Sequence, residues 1–368
     1  MIRLLRALAY AALIVALLFA CVLRADAGYH FADFRAATPI RVYGSASRTP
    51  SGMTPAIIKK RYGLPSRGGR GTIAIISAYD DASIETDLAT FDAAFGLPSC
   101  TSKNSCFEKH GMAPKLSSDS GWALETTLDV EWAHAIAPDA KILLVEATTQ
   151  SGTHLIQAVD YVALRPDVVS VSMSWGGAEF PEETSLDAHF LSAHGAVFFA
   201  SAGDSGAGAS WPAASPNVIG VGGTSFSKTF GGGWGAETAW SGSGGGVSTY
   251  EKEPGYQKAY AIPRAGGMRA IPDVAYDADP RSGFPIVRQG LWHEVGGTSA
   301  GAPQWAAIAA LDTGVSLTRL YADKASAGAT SYFYDIASGK NGSCAYFCTA
   351  RKRYDYVTGL GSPRTSVF

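Results

Sequence analysis

Net charge is the first thing this sequence has little of. Across 368 residues, 30 Lys and Arg stand against 32 Asp and Glu, a formal charge of −2. That leaves no basic field to draw in nucleic acid and no acidic tail. Histidine is scarce, with seven residues, and cysteine scarcer, with five. Past residue 28 no apolar run is long enough to span a bilayer. No internal repeat accompanies the 42 glycines, although some cluster, as in Gly231-Gly232-Gly233 and Gly244-Gly245-Gly246. The composition therefore excludes a fibre and suits a chain with many tight loops. What is present in quantity is apolar: 46% of residues are hydrophobic and 17% charged, enough for one large core or two modest ones.

The first 27 residues read as an export signal. Arg3 and Arg6 precede an apolar run from Ala7 to Leu23, and Ala25-Asp26-Ala27 supplies the small residues for cleavage before Gly28. Two alternatives stay open. The run is nearly long enough to remain as a membrane anchor, and Leu18-Phe19-Ala20-Cys21 resembles a lipoprotein cleavage box. Setting Cys21 aside, the cysteines form two close pairs, Cys100 with Cys106 and Cys344 with Cys348. In an exported chain these read as two short disulfides. A four-thiolate zinc site is the alternative, although neither pair has the two-residue spacing usual for one.

Residues 28–52 are weakly patterned and read as a leader or arm; residues 53–368 read as one continuous domain. Short runs that are apolar at nearly every position recur at Thr72–Ala78, Lys141–Ala147, Val168–Met173, Ala196–Ala200 and Val218–Val221. Such runs predict strands buried on both faces of a parallel sheet. Helix-like stretches alternate with them at Ile84–Phe95, Trp122–Ala137, Leu155–Leu164 and Leu186–Ala193. The alternation predicts an α/β fold, a mostly parallel central sheet with helices on both faces. In such sheets, ligands bind beyond the carboxyl ends of the strands. After about residue 224 the rhythm fades into Gly-rich loops, then resumes at Gly297–Leu311 with a turn leading into an apolar helix.

That late turn is Gly296-Gly297-Thr298-Ser299-Ala300-Gly301-Ala302-Pro303. Small neighbours let another backbone come close to Ser299. The free N–H groups of a first helical turn favour negative charge developing nearby. An isolated Ser here would be an ordinary N-cap, but the octet as a whole resembles the nucleophile motif of subtilases and sedolisins. A serine hydroxyl needs a base, and in a subtilase this is a His in a His-Gly-Thr type of motif. None of His30, His110, His134, His154, His189, His194 and His293 has that context.

Glu125 and Asp129 are offered instead, within Trp122-Ala123-Leu124-Glu125-Thr126-Thr127-Leu128-Asp129-Val130-Glu131-Trp132. Four residues apart, they share one helix face. A close carboxyl pair titrates as a unit that can hold a single proton. It can accept the Ser299 proton in acid, where an imidazole is already charged. An acidic helix face balanced elsewhere is the plainer reading of the spacing.

The Glu-x-x-x-Asp helix followed by Ala137-Pro138, the Ser201-Ala202-Gly203-Asp204-Ser205-Gly206 segment and the late octet stand in the same order in the sedolisin family of serine-carboxyl peptidases. The chain resembles that family from about Thr54 to Pro363, including Tyr62-Gly63-Leu64-Pro65 and Phe95-Gly96-Leu97-Pro98. The resemblance implies a subtilisin-like fold and a peptidase working through an acyl-enzyme at acidic pH. Glu125, Asp129 and Ser299 would be catalytic, and a protonated Asp204 would donate to the oxyanion. Taken alone, Asp204-Ser205-Gly206 is a loop turn. Ser172-Met173-Ser174-Trp175-Gly176 resembles the substrate-lining strand, where a peptide could pair with the backbone while Trp175 and Gly176 shape a pocket; packing of Trp175 in the core is the other reading.

The resemblance also implies one Ca²⁺, held by the carboxylates of Asp335 and Asp355 and by main-chain oxygens of Ile336, Arg351 and Arg353. Glycine usually fills the last two carbonyl positions, and arginine there questions the turn. The implied partner is a peptide or denatured protein, met by a secreted monomer with no nucleic acid involved. The long N-terminal prodomain general in the family has no counterpart in this sequence. A catalytically silent secreted binding protein on the same scaffold is the alternative function, and a His-dependent subtilase a further one.

Overall fold

The computed structural model describes residues 30–325 and 332–365; the export segment read at 1–27, with Cys21, lies outside them. The strands are β1 (Arg41–Ser47), β2 (Thr72–Ala78), β3 (Phe107–Gly111), β4 (Lys141–Ala147), β5 (Val168–Met173), β6 (Val197–Ser201), β7 (Val218–Lys228), β8 (Trp234–Ala239), β9 (Gly246–Lys252), β10 (Met268–Ile271), β11 (Val274–Asp277), β12 (Phe284–Arg288) and β13 (Leu291–Gly296). The helices are α1 (Pro55–Arg61), α2 (Ile84–Phe95), α3 (Ser120–Ile136), α4 (Gly152–Ala163), α5 (Gly255–Tyr260), α6 (Gly301–Leu311) and α7 (Leu317–Ala325).

The main sheet runs β11-β7-β6-β5-β2-β4-β3 with every pair parallel, and β8 adds antiparallel to β7. Successive side chains of a strand face opposite ways, so each central strand feeds two cores. Ile73 and Ile75 of β2 pack with Leu128 and Trp132 of α3 and Trp305 of α6. Ala74 and Ile76 pack on the other face with Leu155, Ile156 and Val159 of α4. This is the expected α/β arrangement with helices on both faces.

Three local expectations need correction. The segment expected as a helix at Leu186–Ala193 is a 3₁₀ turn at Glu183–Phe190; with only Glu183 and Phe190 buried it has no continuous apolar stripe to hold an α-helix against the sheet. Strand β11 continues the parallel sheet after residue 224 in a run of only four residues, too short to register as a pattern. The arm is part of the fold, since β1 pairs antiparallel with β13. The cysteines form two disulfides, Cys100–Cys106 and Cys344–Cys348, which leaves no set of four thiolates for zinc. Among the described residues, no helix is long and apolar enough to cross a membrane.

Candidate active site

Helix α3 starts where Asp119 accepts the amides of Gly121 and Trp122, at 2.9 and 3.0 Å. It is then buried on nearly all sides, from Trp122 to Ile136. Trp132 Nε1 donates to the Pro285 carbonyl at 3.0 Å, and Thr126 meets Ser77 of β2 at 2.6 Å. These contacts lock the rotation of the helix, and with it the direction of Glu125 and Asp129, which are 1% and 0% exposed. A solvated acidic face is thereby excluded.

Ser299 sits in the 3₁₀ turn Thr298–Ala300 that opens α6, fully buried. Its hydroxyl is near enough to Glu125 to ease that carboxylate's charge, yet it completes no aligned hydrogen bond; both Glu125 oxygens are likewise without a partner. Burial first, then the charge of Asp129, pushes the Glu125 pKa well above the ordinary carboxylate range. Asp129 is raised by burial, opposed by the Ser174 hydroxyl, which donates to Asp129 Oδ1 at 2.6 Å and stands 3.2 Å from the Ser299 carbonyl oxygen. Two desolvated carboxyls one helical turn apart cannot both ionise cheaply, so the pair retains a proton.

Asp204 follows β6, at the carboxyl end of the sheet. Its Oδ1 accepts from the Thr298 amide at 2.8 Å and the Thr298 hydroxyl at 3.0 Å. Its Oδ2 is buried with no hydrogen bond and lies 3.6 Å from Arg41 Nε. Burial outweighs the Thr298 and Arg41 contacts and raises its pKa to about 7. Gly297, at φ +113, keeps the floor of this corner open: a Cβ there would lie 2.6 Å from Asp204 Oδ2 and 1.9 Å from the Pro39 carbonyl oxygen. Both oxygens crowd one point beside the turn that carries Ser299.

Among the described residues no imidazole hydrogen-bonds the Ser299 hydroxyl. His134 is buried in the core against the Pro98 carbonyl at 2.9 Å. His30, His154 and His189 are bonded to Glu182, Thr149 and Asp160. His110 stacks on Tyr161.

The substrate-lining residues need partial correction. Ser170, Ser172 and Ser174 lie on one face by the period of two. Ser170 Oγ donates to the Ala306 carbonyl of α6 and Ser174 Oγ to Asp129, so this row faces the helices, with Ser172 buried among them. Ser174 thus positions Asp129 instead of lining a pocket. Trp175 is fully buried, its Nε1 donating to the Ile76 carbonyl at 3.1 Å, and packs in the core near Trp211. Gly176 does border the cleft, a cavity of about 440 Å³ whose walls include Gly177, Gly203, Asp204 and the arm residues Pro39 and Ile40.

The residues expected to hold calcium form one loop. Asp335 Oδ2 accepts from the Arg353 amide at 2.9 Å; Asp355 Oδ2 accepts from the Arg351 amide at 3.0 Å. Arg353 adopts φ +66, the left-handed region that favours glycine. Among the described residues no Lys or Arg side chain ion-pairs with either Asp, and burial raises the Asp355 pKa to about 6. Two carboxylates without a cationic partner are hard-oxygen donors of the kind that suit Ca²⁺, although the main-chain groups that meet them are amides.

Fold and site together define a chain of subtilisin-like architecture with a buried serine beside buried carboxyl groups. The chain belongs to the subtilase family, whose sequence profile matches residues 107–316, more than half of its length. Within that family its relatives are sedolisins. Sedolisin of Pseudomonas sp. (strain 101) is 28% identical, the match covering 86% of this chain and 60% of that protein. Kumamolisin of Bacillus sp. (strain MN-32) is 32% identical over 87% of this chain and 63% of its own. The solved structure of Pseudomonas sedolisin, a serine-carboxyl proteinase complexed with two molecules of pseudo-iodotyrostatin, matches with a TM-score of 0.73 at 28% identity, covering 86% of this chain and 96% of that one. The chain spans about three-fifths of the length of the curated relatives it matches.

Proposed function

We propose that this chain is a serine-carboxyl endopeptidase that hydrolyses peptide bonds through an acyl-enzyme on Ser299 and works in acid. The observation that carries the reading is the buried trio of Ser299, Glu125 and Asp129, assembled where a subtilase would need an imidazole. Glu125 takes the Ser299 proton as the hydroxyl adds to the substrate carbonyl. Asp129, held by Ser174, shares the pair's remaining proton and keeps Glu125 oriented. Below about pH 7 Asp204 is protonated, and its free oxygen can donate to the oxyanion. The cleft bordered by Gly176 and Asp204 supports a peptide as the substrate.

Calcium belongs to the same reading. Asp335, Asp355 and the main-chain oxygens of Ile336, Arg351 and Arg353 would hold it, and the ion would tie the C-terminal loop by neutralising its carboxylates. Two disulfides support an exported protein. In this reading the chain acts as a monomer on peptide or denatured protein.

The test is hydrolysis of a denatured protein at pH 3 to 5 by the wild type and by Ser299→Ala. Removing the nucleophile should lower the rate by at least about 10³; an unchanged rate would sink the mechanism.

A further inference from the structure

Past Asp129, helix α3 carries a buried histidine that the proposed chemistry does not use. His134 Nε2 donates to the Pro98 carbonyl at 2.9 Å. A carbonyl can only accept, so the ring proton stays on Nε2. Nδ1 is left as a bare lone pair, buried and without a hydrogen-bond partner. Beside the ring stands Asp92 of α2, buried, whose Oδ1 lies 3.4 Å from His134 Nε2 and also completes no hydrogen bond. Its other oxygen, Oδ2, accepts from the Cys100 amide at 3.1 Å. Buried polar atoms without partners are uncommon because they are costly, and here two of them stand in one cluster.

Two further donors come from the loop between α2 and β3. Cys100 and Cys106 are joined there, and their sulfurs and a ring nitrogen of His134 all lie within 4.8 Å of one another. In a tetrahedral zinc site, bonds of about 2.3 Å to sulfur and about 2.0 Å to nitrogen set the ligand atoms roughly 3.5 to 3.8 Å apart. Other bonds also hold the loop in shape. Asn104 Oδ1 accepts the amides of Thr101 and Cys106 at 3.0 and 3.1 Å, and Asn104 Nδ2 donates to the Ser99 carbonyl at 2.7 Å. The Cys106 carbonyl accepts from the Ile142 amide of β4 at 2.8 Å. With Cys100 tied to Asp92 and Cys106 to β4, rotation of two short side chains is enough to bring the sulfurs to metal spacing. Cys100 is fully buried, whereas Cys106 is half-buried and borders a cavity of about 460 Å³ with Ser102, Ser105 and Lys141. A small thiol can reach it from there.

From this cluster we infer a redox-gated metal site, separate from the calcium loop: once a thiol reduces the Cys100–Cys106 disulfide, Zn²⁺ is bound by the two thiolates and His134, with Asp92 Oδ1 completing the set. The attacking thiolate joins Cys106 Sγ and expels Cys100 Sγ; a second thiol then attacks the first, freeing Cys106. Two thiols are oxidised to one small disulfide, and the protein disulfide is reduced to two thiols. Zinc displaces one proton from each cysteine and takes a lone pair from the neutral imidazole. An imidazole anchored through its other nitrogen to a carbonyl is the arrangement found around ligating histidines. Sulfur and imidazole donors select zinc over calcium, which takes oxygen. The metal then ties α2, the loop and α3 together in place of the disulfide.

The experiment is titration of the purified full chain with Co²⁺ and then Zn²⁺ at pH 7, after reduction with dithiothreitol and its removal without air, beside the oxidised chain. The reduced chain should show the sulfur-to-cobalt charge-transfer band and the strong visible bands of tetrahedral cobalt, which zinc then abolishes. The oxidised chain should show neither. Zinc should raise the melting temperature of the reduced chain and leave that of the oxidised chain unchanged. Cys100→Ser should remove the charge-transfer band, and Cys344→Ser should leave it. His134→Gln and Asp92→Asn should each weaken zinc binding at least about tenfold. Equal binding by oxidised and reduced chains, a band that survives Cys100→Ser, a cobalt spectrum without tetrahedral bands, or affinity unchanged in both His134→Gln and Asp92→Asn would overturn the inference. The spectrum of the natural chain decides the matter even where a variant does not fold. Ser299 takes no part in any of these readouts, so the peptidase reading stands or falls separately.

Discussion

Asp204 does two things with one carboxyl group: Oδ1 holds the Thr298 backbone and hydroxyl, and Oδ2 faces the substrate side unbonded. Only the protonated acid can donate from Oδ2, so as pH rises through about 7 the donor becomes an acceptor that repels the oxyanion. Asp204→Asn separates these roles. Its oxygen can keep the Thr298 bonds while its amide donates at every pH. We expect kcat/KM at pH 4 to 5 within about tenfold of wild type and an alkaline limb moved upward from near pH 7, whereas Asp204→Ala should cost about 10² to 10³. Rate profiles from pH 3 to 9 decide it, and an unmoved alkaline limb in the Asn variant would remove Asp204 from the oxyanion role. Glu125, Asp129, Asp204 and Ser299 were legible because each lies in a local motif. Ser174 was misread for a physical reason: a period of two says which residues share a face of β5, not whether that face meets the cleft or the helices.

Carboxyl groups also join one element to another. Glu179 accepts from the Ser248 hydroxyl and the Thr249 amide, tying the segment before the Glu183–Phe190 turn to β9. Glu183, buried and beside Glu179, is pushed up to about 9; Glu251 of β9, buried and beside Asp187, is pushed up to about 8. A carboxyl whose folded pKa is raised contributes stability that is full below its unfolded value near 4.3 and lost as pH climbs through the folded one. Glu251→Gln keeps the shape and cannot ionise, so the loss of stability between pH 5 and 9 should be smaller in this variant. Urea midpoints at the two pH values measure this, and equal losses would refute it. The calcium loop makes a second prediction at this scale: chelation should lower the melting temperature by several degrees, added Ca²⁺ should restore it, and Asp355→Asn should abolish the response. No shift on chelation would mean that the amides of Arg351, Val357 and Thr358 satisfy Asp355 without an ion.

For the whole molecule the same sign repeats. Burial raises Glu125, Asp129, Glu131, Glu237 and Asp277, and lifts Glu146 to about 7. Asp167, held low at about 2 beside Arg165, is more exposed, and its pair contributes little; Asp279, buried beside Arg281, is an exception to the common direction. The balance puts greatest stability in mild acid, so the melting temperature at pH 4.5 should exceed that at pH 8. Calorimetry at both values is the check, and a higher value at pH 8 would contradict it. A protein whose core holds neutral carboxyls is suited to the conditions under which Asp204 can donate.

By itself the sequence determined the five strands β2, β4, β5, β6 and β7, the helices α2, α3, α4 and α6, and the four residues of the proposed chemistry. Short-range pattern carries all of these: apolar runs set burial, a four-residue spacing sets a helix face, and a Gly-rich octet sets a turn. Only the tertiary structure decided which way the row of serines in β5 points, that Trp175 belongs to the core, and that Arg353 adopts a left-handed φ. It alone decided where the arm goes. Weakly patterned residues 30–47 hold no periodic signal of their own, and their course is set by partners more than a hundred positions away: Gly176 on one side of Ser299 and Gly296 on the other.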